Sequence, residues 1–240
     1  MGNEKHKRSK IITRILILRK ILLLNDGRDK VLKVLQYTAK VLLWGVLKDP
    51  KDVLYDKSKK LSTHFSIARK IVRLGHWLEP FNDTLDLYQQ GLGIKSNMPA
   101  SEQTARLLAP LNAVNSIVND LLDDIICLGK LGLLDKKWVE WASPLSDRCW
   151  FASLFIDIHE NVLNTTKIVQ KLEIAPNEMR GELVQKLFLQ RVSLAKLGCD
   201  FVFCTIDVFE LNERVGDGVQ AVAGLTAAIL GTLKLVIKNQ

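Results

Sequence analysis

The feature that most constrains this fold is a run without charge near the C-terminal end. Residues 218–233 read GVQAVAGLTAAILGTL, and the next charges are Lys234 and Lys238. A membrane span needs about 20 largely apolar residues, and a lysine close to the end of a span can reach the headgroups. The run therefore predicts a transmembrane helix over residues 218–237, although it would also suit a buried helix of a soluble bundle.

Small residues recur inside this run at a spacing of four. Gly224 precedes Ala228 by four positions, and Ala227 precedes Gly231 in the same way. On a helix this spacing places small side chains on one face, where a neighbouring helix can approach closely. We therefore predict Gly224, Ala228 and Gly231 to be helix-packing residues.

The rest of the chain also has a helical pattern, because glycine and proline are sparse and no stretch alternates as a strand would. We expect an all-α fold, a membrane-associated multi-helix bundle with an amphipathic N-terminal half and a C-terminal hydrophobic helix. Its regions are a basic amphipathic part (1–90), a linker (91–100) and a helical membrane part (101–240). The predicted helices cover 10–24, 28–47, 57–78, 111–134, 146–173 and 178–210, and a further helix runs from about residue 80 toward Gln90. Breaks are predicted at 25–27 and Pro144 among others, and Pro110 is predicted to interrupt or kink a helix that starts near Ser101.

Positive charge is concentrated in the first third of the chain. The net charge is +8, and residues 1–80 carry 19 Lys and Arg against 7 Asp and Glu, whereas the remainder carries 15 against 19. Such an imbalance indicates an anionic partner, which could be nucleic acid or a lipid surface.

The predicted helix at 57–78 favours lipid. One side is apolar, the other is cationic, and no acid lies between Lys57 and Trp77. Such a helix can lie in the interface of an anionic phospholipid membrane, whereas few aromatic residues alternate with its cations as single-stranded nucleic acid requires. The alternative is a surface helix packed on its own protein core. The predicted membrane-binding residues are Lys59, Leu61, Phe65, Arg69, Lys70, Val72 and Arg73.

Signatures of catalysis and metal binding are missing from the sequence. The four cysteines form no CxxC pair, and His159-Glu160 lacks a histidine at the following zinc-ligand position, which is Leu163. No phosphate-binding glycine loop occurs. We therefore predict no catalytic, cofactor or metal site, and a protein that is not an enzyme.

Four segments, in this order, resemble the peroxin eleven family of peroxisomal membrane proteins. The first contains Arg28, Asp29, Lys30, Gln36 and Tyr37, the second covers 68–70 and 73–75, the third covers 121–124 and 128–132, and the fourth is 216–218. The chain departs from the family pattern at Lys33, where arginine is usual, and at 125–127, where an aromatic pattern is usual.

The resemblance implies a protein of the peroxisomal membrane that elongates this membrane and promotes its division. It further implies insertion of an N-terminal amphipathic helix, self-association, and action with a dynamin-type GTPase and tail-anchored fission factors. A small-solute pore and a soluble helical scaffold are the alternatives. Because both ends of the chain are basic, both are predicted to face the cytosol, which requires an even number of crossings.

Overall fold

The computed structural model describes residues 15–47, 49–91, 93 and 98–239, and all regular structure within these ranges is helical, which confirms the predicted all-α class. The predicted start at residue 10 and half of the predicted linker (92 and 94–97) lie outside the described residues. The helices are α1 (15–23), α2 (Asn25–Gly45), α3 (Val53–Val72), α4 (Leu78–Gln90), α5 (Ala100–Lys130), α6 (Lys136–Ile174), α7 (Asn177–Val208), α8 (Asn212–Val215) and α9 (Asp217–Lys238).

The junction between α1 and α2 is tighter than the predicted break at 25–27. Only Leu24 separates the helices, and α2 begins at Asn25. Gly27 makes this possible, because a Cβ atom there would collide with the carbonyl group of Ile21. The side chain of Arg28 donates from Nε to the Leu22 carbonyl at 2.7 Å, which ties the two helices together.

The helix predicted at 57–78 has different ends. It begins at Val53, where the Asp52 carboxylate accepts a hydrogen bond from the Leu54 N–H at 2.8 Å as an N-cap. It ends at Val72, and the chain then turns through Gly75, whose φ of +78° favours glycine. Residues 73–77 therefore connect α3 to α4.

The prediction of a break at Pro144 is wrong, because α6 runs without interruption through this residue, as α5 does through Pro110. A proline removes one backbone hydrogen bond from a helix. Here α5 and α6 pack along each other, with a core of Leu122, Ile126 and Ala142. Tertiary packing of this kind outweighs the local loss.

Six of the helices form a closed ring of neighbours. α5 packs on α6, α6 on α7, α7 on α9, α9 on α2 and α2 on α3, and α3 then contacts α5. Within the described part of the chain, α9 is the one helix that is both long and apolar enough to cross a membrane. Its bounds agree with the predicted span at 218–237.

The distribution of polar and apolar groups is unusual for a water-soluble bundle. Asp120, Asp200 and Gln36 are buried, with 7%, 3% and 4% of their surface exposed. Large apolar side chains instead remain on the surface of α5 at three- and four-residue steps, namely Leu107, Leu111, Val114, Val118 and Leu121. We call this row the α5 stripe. An apolar patch of this kind marks contact with a membrane or another protein.

Candidate membrane interface and its ion-pair network

The exposed side of α3 combines apolar and basic side chains. Leu54, Leu61 and Ile71 have 58%, 45% and 44% of their surface exposed. Lys57 and Lys59 are exposed on the same helix, whereas Phe65 and Val72 are half-buried. Exposed leucine and isoleucine beside lysine is the composition of helices that lie in a lipid headgroup layer.

The predicted cationic face of this helix is divided by the fold. Lys59 is exposed, but Arg69 turns inward to α2, where its guanidinium donates to the Asp29 carboxylate at 2.9 Å and to the Gln36 side-chain oxygen at 2.9 Å. Ser62, which helical periodicity places on the cationic side of this helix, is buried. The second half of the cationic face is therefore occupied by the protein itself.

Ion pairs and hydrogen bonds also attach the end of α3 and the following connection (73–77) to α5. Lys70 binds the Asp123 carboxylate at 3.0 Å, and Arg73 lies 3.3 Å from Asp120. His76 Nδ1 is 2.9 Å from the second oxygen of Asp120. The backbone N–H of Gly75 donates to Asp124 at 3.1 Å, and burial raises the pKa of this carboxyl group. These contacts close the ring of helices.

A third group of charges joins α2 to α7. The Asp200 carboxylate binds Lys196 at 2.7 Å and Lys33 at 3.4 Å. Burial lowers the pKa of Lys33, although the negative charge of Asp200 opposes this shift. A buried carboxylate with two cationic neighbours therefore links α2 to α7, which both pack on α9.

The small-residue face of α9 packs inside the same chain. The Tyr37 ring lies against Gly224 so closely that a Cβ atom there would overlap it, and Ala228 is buried. The same ring meets Phe203 edge-on at 5.6 Å. Gly231 faces the side chains of Lys30 and Lys196. The three predicted helix-packing residues thus contact α2 and α7.

The structure brings together segments that the sequence shows only in order. Asp29 and Gln36 of the first family segment bind Arg69 of the second, and Lys70 of the second binds Asp123 of the third. Sequence analysis missed these partners. The available signal was charge complementarity, since the cations at 69–73 and the acids at 120–124 lie on separate helices. Among the other first-segment residues, Lys30 pairs with Asp26.

A metal centre has no basis in the part of the chain that the structure describes, because no three His, Cys, Asp or Glu side chains gather there as metal ligands would. The chemistry of this network is electrostatic, and its groups hold helices together.

Comparison with known proteins identifies the family. The model of the family described as Peroxisomal biogenesis factor 11 (PEX11) matches residues 18–236. The chain belongs to the PEX11 family. PEX11 proteins are peroxisomal biogenesis factors, and this description is not that of an enzyme family.

Individual PEX11 relatives agree with this assignment. The chain is 32% identical over 158 residues to "Peroxisomal membrane protein 11 homolog" of Dictyostelium discoideum, which covers 65% of this chain but only 57% of the relative. It is 29% identical to "Peroxisomal membrane protein 11B" of Arabidopsis thaliana, over 68% of this chain and 67% of the relative. It is 24% identical to "Peroxisomal biogenesis factor 11" of Schizosaccharomyces pombe, over 87% and 89%.

These PEX11 relatives support a location in the peroxisomal membrane and a role related to peroxisomes. No solved structure matches the chain.

Proposed function

We propose that this chain curves the peroxisomal membrane by seating α3 in one headgroup layer, and that it thereby promotes elongation and division of the organelle. The observation that carries the proposal is the division of α3 into two sides. Leu61 and Ile71 are exposed, whereas Arg69 and Arg73 attach the helix to the bundle.

This arrangement suits a membrane wedge, by which we mean a helix that inserts into one leaflet of the bilayer and not the other. The exposed apolar side chains can enter the acyl boundary, while Lys57, Lys59 and Lys60 reach lipid phosphates, each contributing about 1 kcal/mol near an anionic surface. The ion pairs to α2 and α5 keep the helix in a fixed orientation. Inserted area in one leaflet then expands that leaflet relative to the other, which favours curvature.

The α9 helix serves as the membrane anchor in this proposal. One crossing by α9 alone would put the two ends of the chain on opposite sides of the membrane. The predicted cytosolic position of both ends therefore needs a second crossing, and this orientation remains a prediction.

Self-association and the fission partners also remain proposals. The face containing Gly224 and Ala228 is occupied by α2 and α7, so copies of the chain would have to meet elsewhere. The α5 stripe is an exposed surface of suitable composition for this. A dynamin-type GTPase and tail-anchored fission factors are partners that family resemblance suggests.

Reconstitution into vesicles containing anionic phospholipid tests the wedge. The wild-type protein should tubulate the vesicles in electron micrographs. The double variant Leu61→Asp/Ile71→Asp should remain inserted through α9 but lose tubulation, because charged side chains cannot enter the acyl boundary. Thr63→Asp is the matched control, since Thr63 is exposed on another side of α3. Equal tubulation by all three proteins would refute the wedge.

Passage of small anionic solutes is a second candidate, and one observation favours it. A polar cavity of about 220 Å³ lies inside the helix ring, and its lining contains more cations than carboxylates: Lys30, Lys33, Arg69, Arg73 and Lys196 against Asp29 and Asp200. Conductance of reconstituted protein that falls in Lys33→Gln would support this role. Conductance no higher than that of empty vesicles would exclude it.

A further inference from the structure

A larger polar cavity opens between α6, α7 and α9, beside the first turns of α2. Its volume is about 420 Å³, which lies in the range of small-molecule sites. Charges of both signs line it. The cations include Lys30, Lys196 and Lys234, the acids include Asp157 and Glu160 of α6, and the uncharged Asn161 lies beside these acids. No part of the proposed wedge mechanism uses this cavity.

Lys234 supplies positive charge to the cavity that no carboxylate of the described residues pairs with. Its ammonium group donates to the Ser193 hydroxyl, and it joins no ion pair within the described ranges. Lys196 and Lys30, by contrast, are paired with Asp200 and Asp26. A bound anion would give Lys234 a charge-assisted hydrogen bond.

The α6 side of the cavity includes an acceptor oxygen that no described residue satisfies. Asn161 has 8% of its surface exposed, and its side-chain oxygen has no hydrogen-bond partner among the described residues. Among the described residues Glu160 forms no ion pair, and the Asp157 carboxylate accepts a hydrogen bond from the Asn112 amide at 3.0 Å. Burial raises the pKa of both carboxyl groups. A buried oxygen without a donor is costly, and an ammonium group would satisfy it.

We infer that this cavity binds a phosphate joined by a short arm to a primary amine, which is the phosphoethanolamine group. The phosphate lies toward Lys234 and Lys196, and the ammonium group lies toward Glu160 and Asn161. The trimethylated amine of phosphocholine has no N–H to donate to Asn161, so the cavity distinguishes the two groups. The group can come from phosphatidylethanolamine or from free O-phosphoethanolamine. The position of Lys234 at the end of α9 favours the lipid.

The test uses the full-length protein in detergent micelles. Native mass spectrometry measures binding of phosphatidylethanolamine, phosphatidylcholine and phosphatidic acid, and titration calorimetry measures O-phosphoethanolamine. We expect about tenfold tighter binding of phosphatidylethanolamine than of phosphatidylcholine, the effect of one well-placed charged hydrogen bond. Binding of the lipid alone assigns the lipid source, and binding of O-phosphoethanolamine alone assigns the free one. Binding of neither overturns the inference.

Three variants distinguish the contacts made to the phosphate from those made to the ammonium group. Lys234→Gln should weaken the binding of phosphatidylethanolamine and of phosphatidic acid to the same extent, because both lipids carry the phosphate. Glu160→Gln should weaken the binding of phosphatidylethanolamine only. Retained binding of phosphatidic acid by this variant would show that it is folded. Asn161→Leu should reduce the preference over phosphatidylcholine.

Matched controls are Lys186→Gln on α7 and Glu173→Gln on α6, both at exposed positions. They should bind as the wild type does. Equal binding of phosphatidylethanolamine and phosphatidylcholine by the wild type would contradict the inference. Variants of Lys234 and Glu160 that behave like the controls would also contradict it.

Discussion

At the scale of single residues, charge that looks exposed in the sequence is internal in the fold. Arg69, Lys70 and Arg73 were predicted from helical periodicity to meet lipid, and their membrane binding stays a prediction. Periodicity could identify the side of α3 on which they lie. It could not show that acids from α2 and α5 meet that side, because those acids are 40 or more positions away in sequence.

The pair formed by Asp29 and Arg69 gives a prediction about stability. Both side chains are largely buried, with 16% and 15% of their surface exposed. Asp29→Ala should destabilise the protein by about 3 kcal/mol, because it leaves a buried guanidinium partly unpaired. Thermal unfolding in detergent micelles measures this loss. Asp56→Asn, which breaks the exposed pair with Lys60, should cost less than about 1 kcal/mol. Equal losses in both variants would show that the buried pair is not needed.

Replacing two glycines of α9 by alanine should change the stability of the protein in different directions. Gly224→Ala should destabilise the bundle by about 1–3 kcal/mol, because the new methyl group overlaps the Tyr37 ring, which Phe203 holds in place. Gly231→Ala should be neutral or stabilising, since its methyl group would lie an ordinary 3.6 Å from lysine side chains and alanine favours helix. Denaturant titration of both variants measures the difference, and similar stabilities would contradict the packing of Tyr37 on Gly224.

At the scale of elements, the sequence predicted which segments are helical better than it predicted where each helix begins and ends. The bounds of α7 and α9 were close to the predicted ones because loops and polar turns flank them. The start of α3 had a local signal that the periodicity overlooked, the capping residue Asp52, whereas the continuity of α6 through its proline had none. Asp52 caps α3 earlier than the polar pattern suggested, and packing on α5 keeps α6 helical through Pro144.

The ionic contact between α3 and α5 predicts that α3 can be loosened selectively. Neutralising Asp120 and Asp123 together by Asn should raise hydrogen exchange of α3 amides, because Lys70 and Arg73 lose their carboxylate partners on α5. Exchange in the apolar core around Leu122, Ile126 and Ala142 should change little, since neither carboxylate belongs to this core. Asp83→Asn, at an exposed position of α4, is the control. Unchanged exchange in α3 would mean that other contacts hold it.

At the scale of the whole molecule, polar groups lie inside the helix ring and much apolar surface lies outside it. The charge-free run made the C-terminal helix predictable. The inward position of the acids could not be read from the sequence, since Asp120 and Asp200 are as compatible with a solute path as with ion pairs. The closed order of helices depends on contacts between distant segments, which no local pattern encodes.

Anchoring by α9 leads to a prediction about extraction. Alkaline carbonate treatment of peroxisomal membranes should leave the chain in the membrane pellet, because the apolar run of α9 has about the length of a span. Replacing Ala227 and Ile229 with Asp should release it. Release of the unmodified chain into the supernatant would instead indicate a soluble scaffold.

The most direct test of the account is the environment of two adjacent positions on α3. Nitroxide labels at Leu61 and at Ser62, in a background without the four native cysteines, would be compared by power saturation in anionic vesicles. We predict that the label at 61 collides with oxygen as a lipid-exposed group does, and that the label at 62 is shielded by protein, since Ser62 is buried. A label at 61 that collides instead with a water-soluble nickel reagent would contradict the proposal that α3 lies in the membrane.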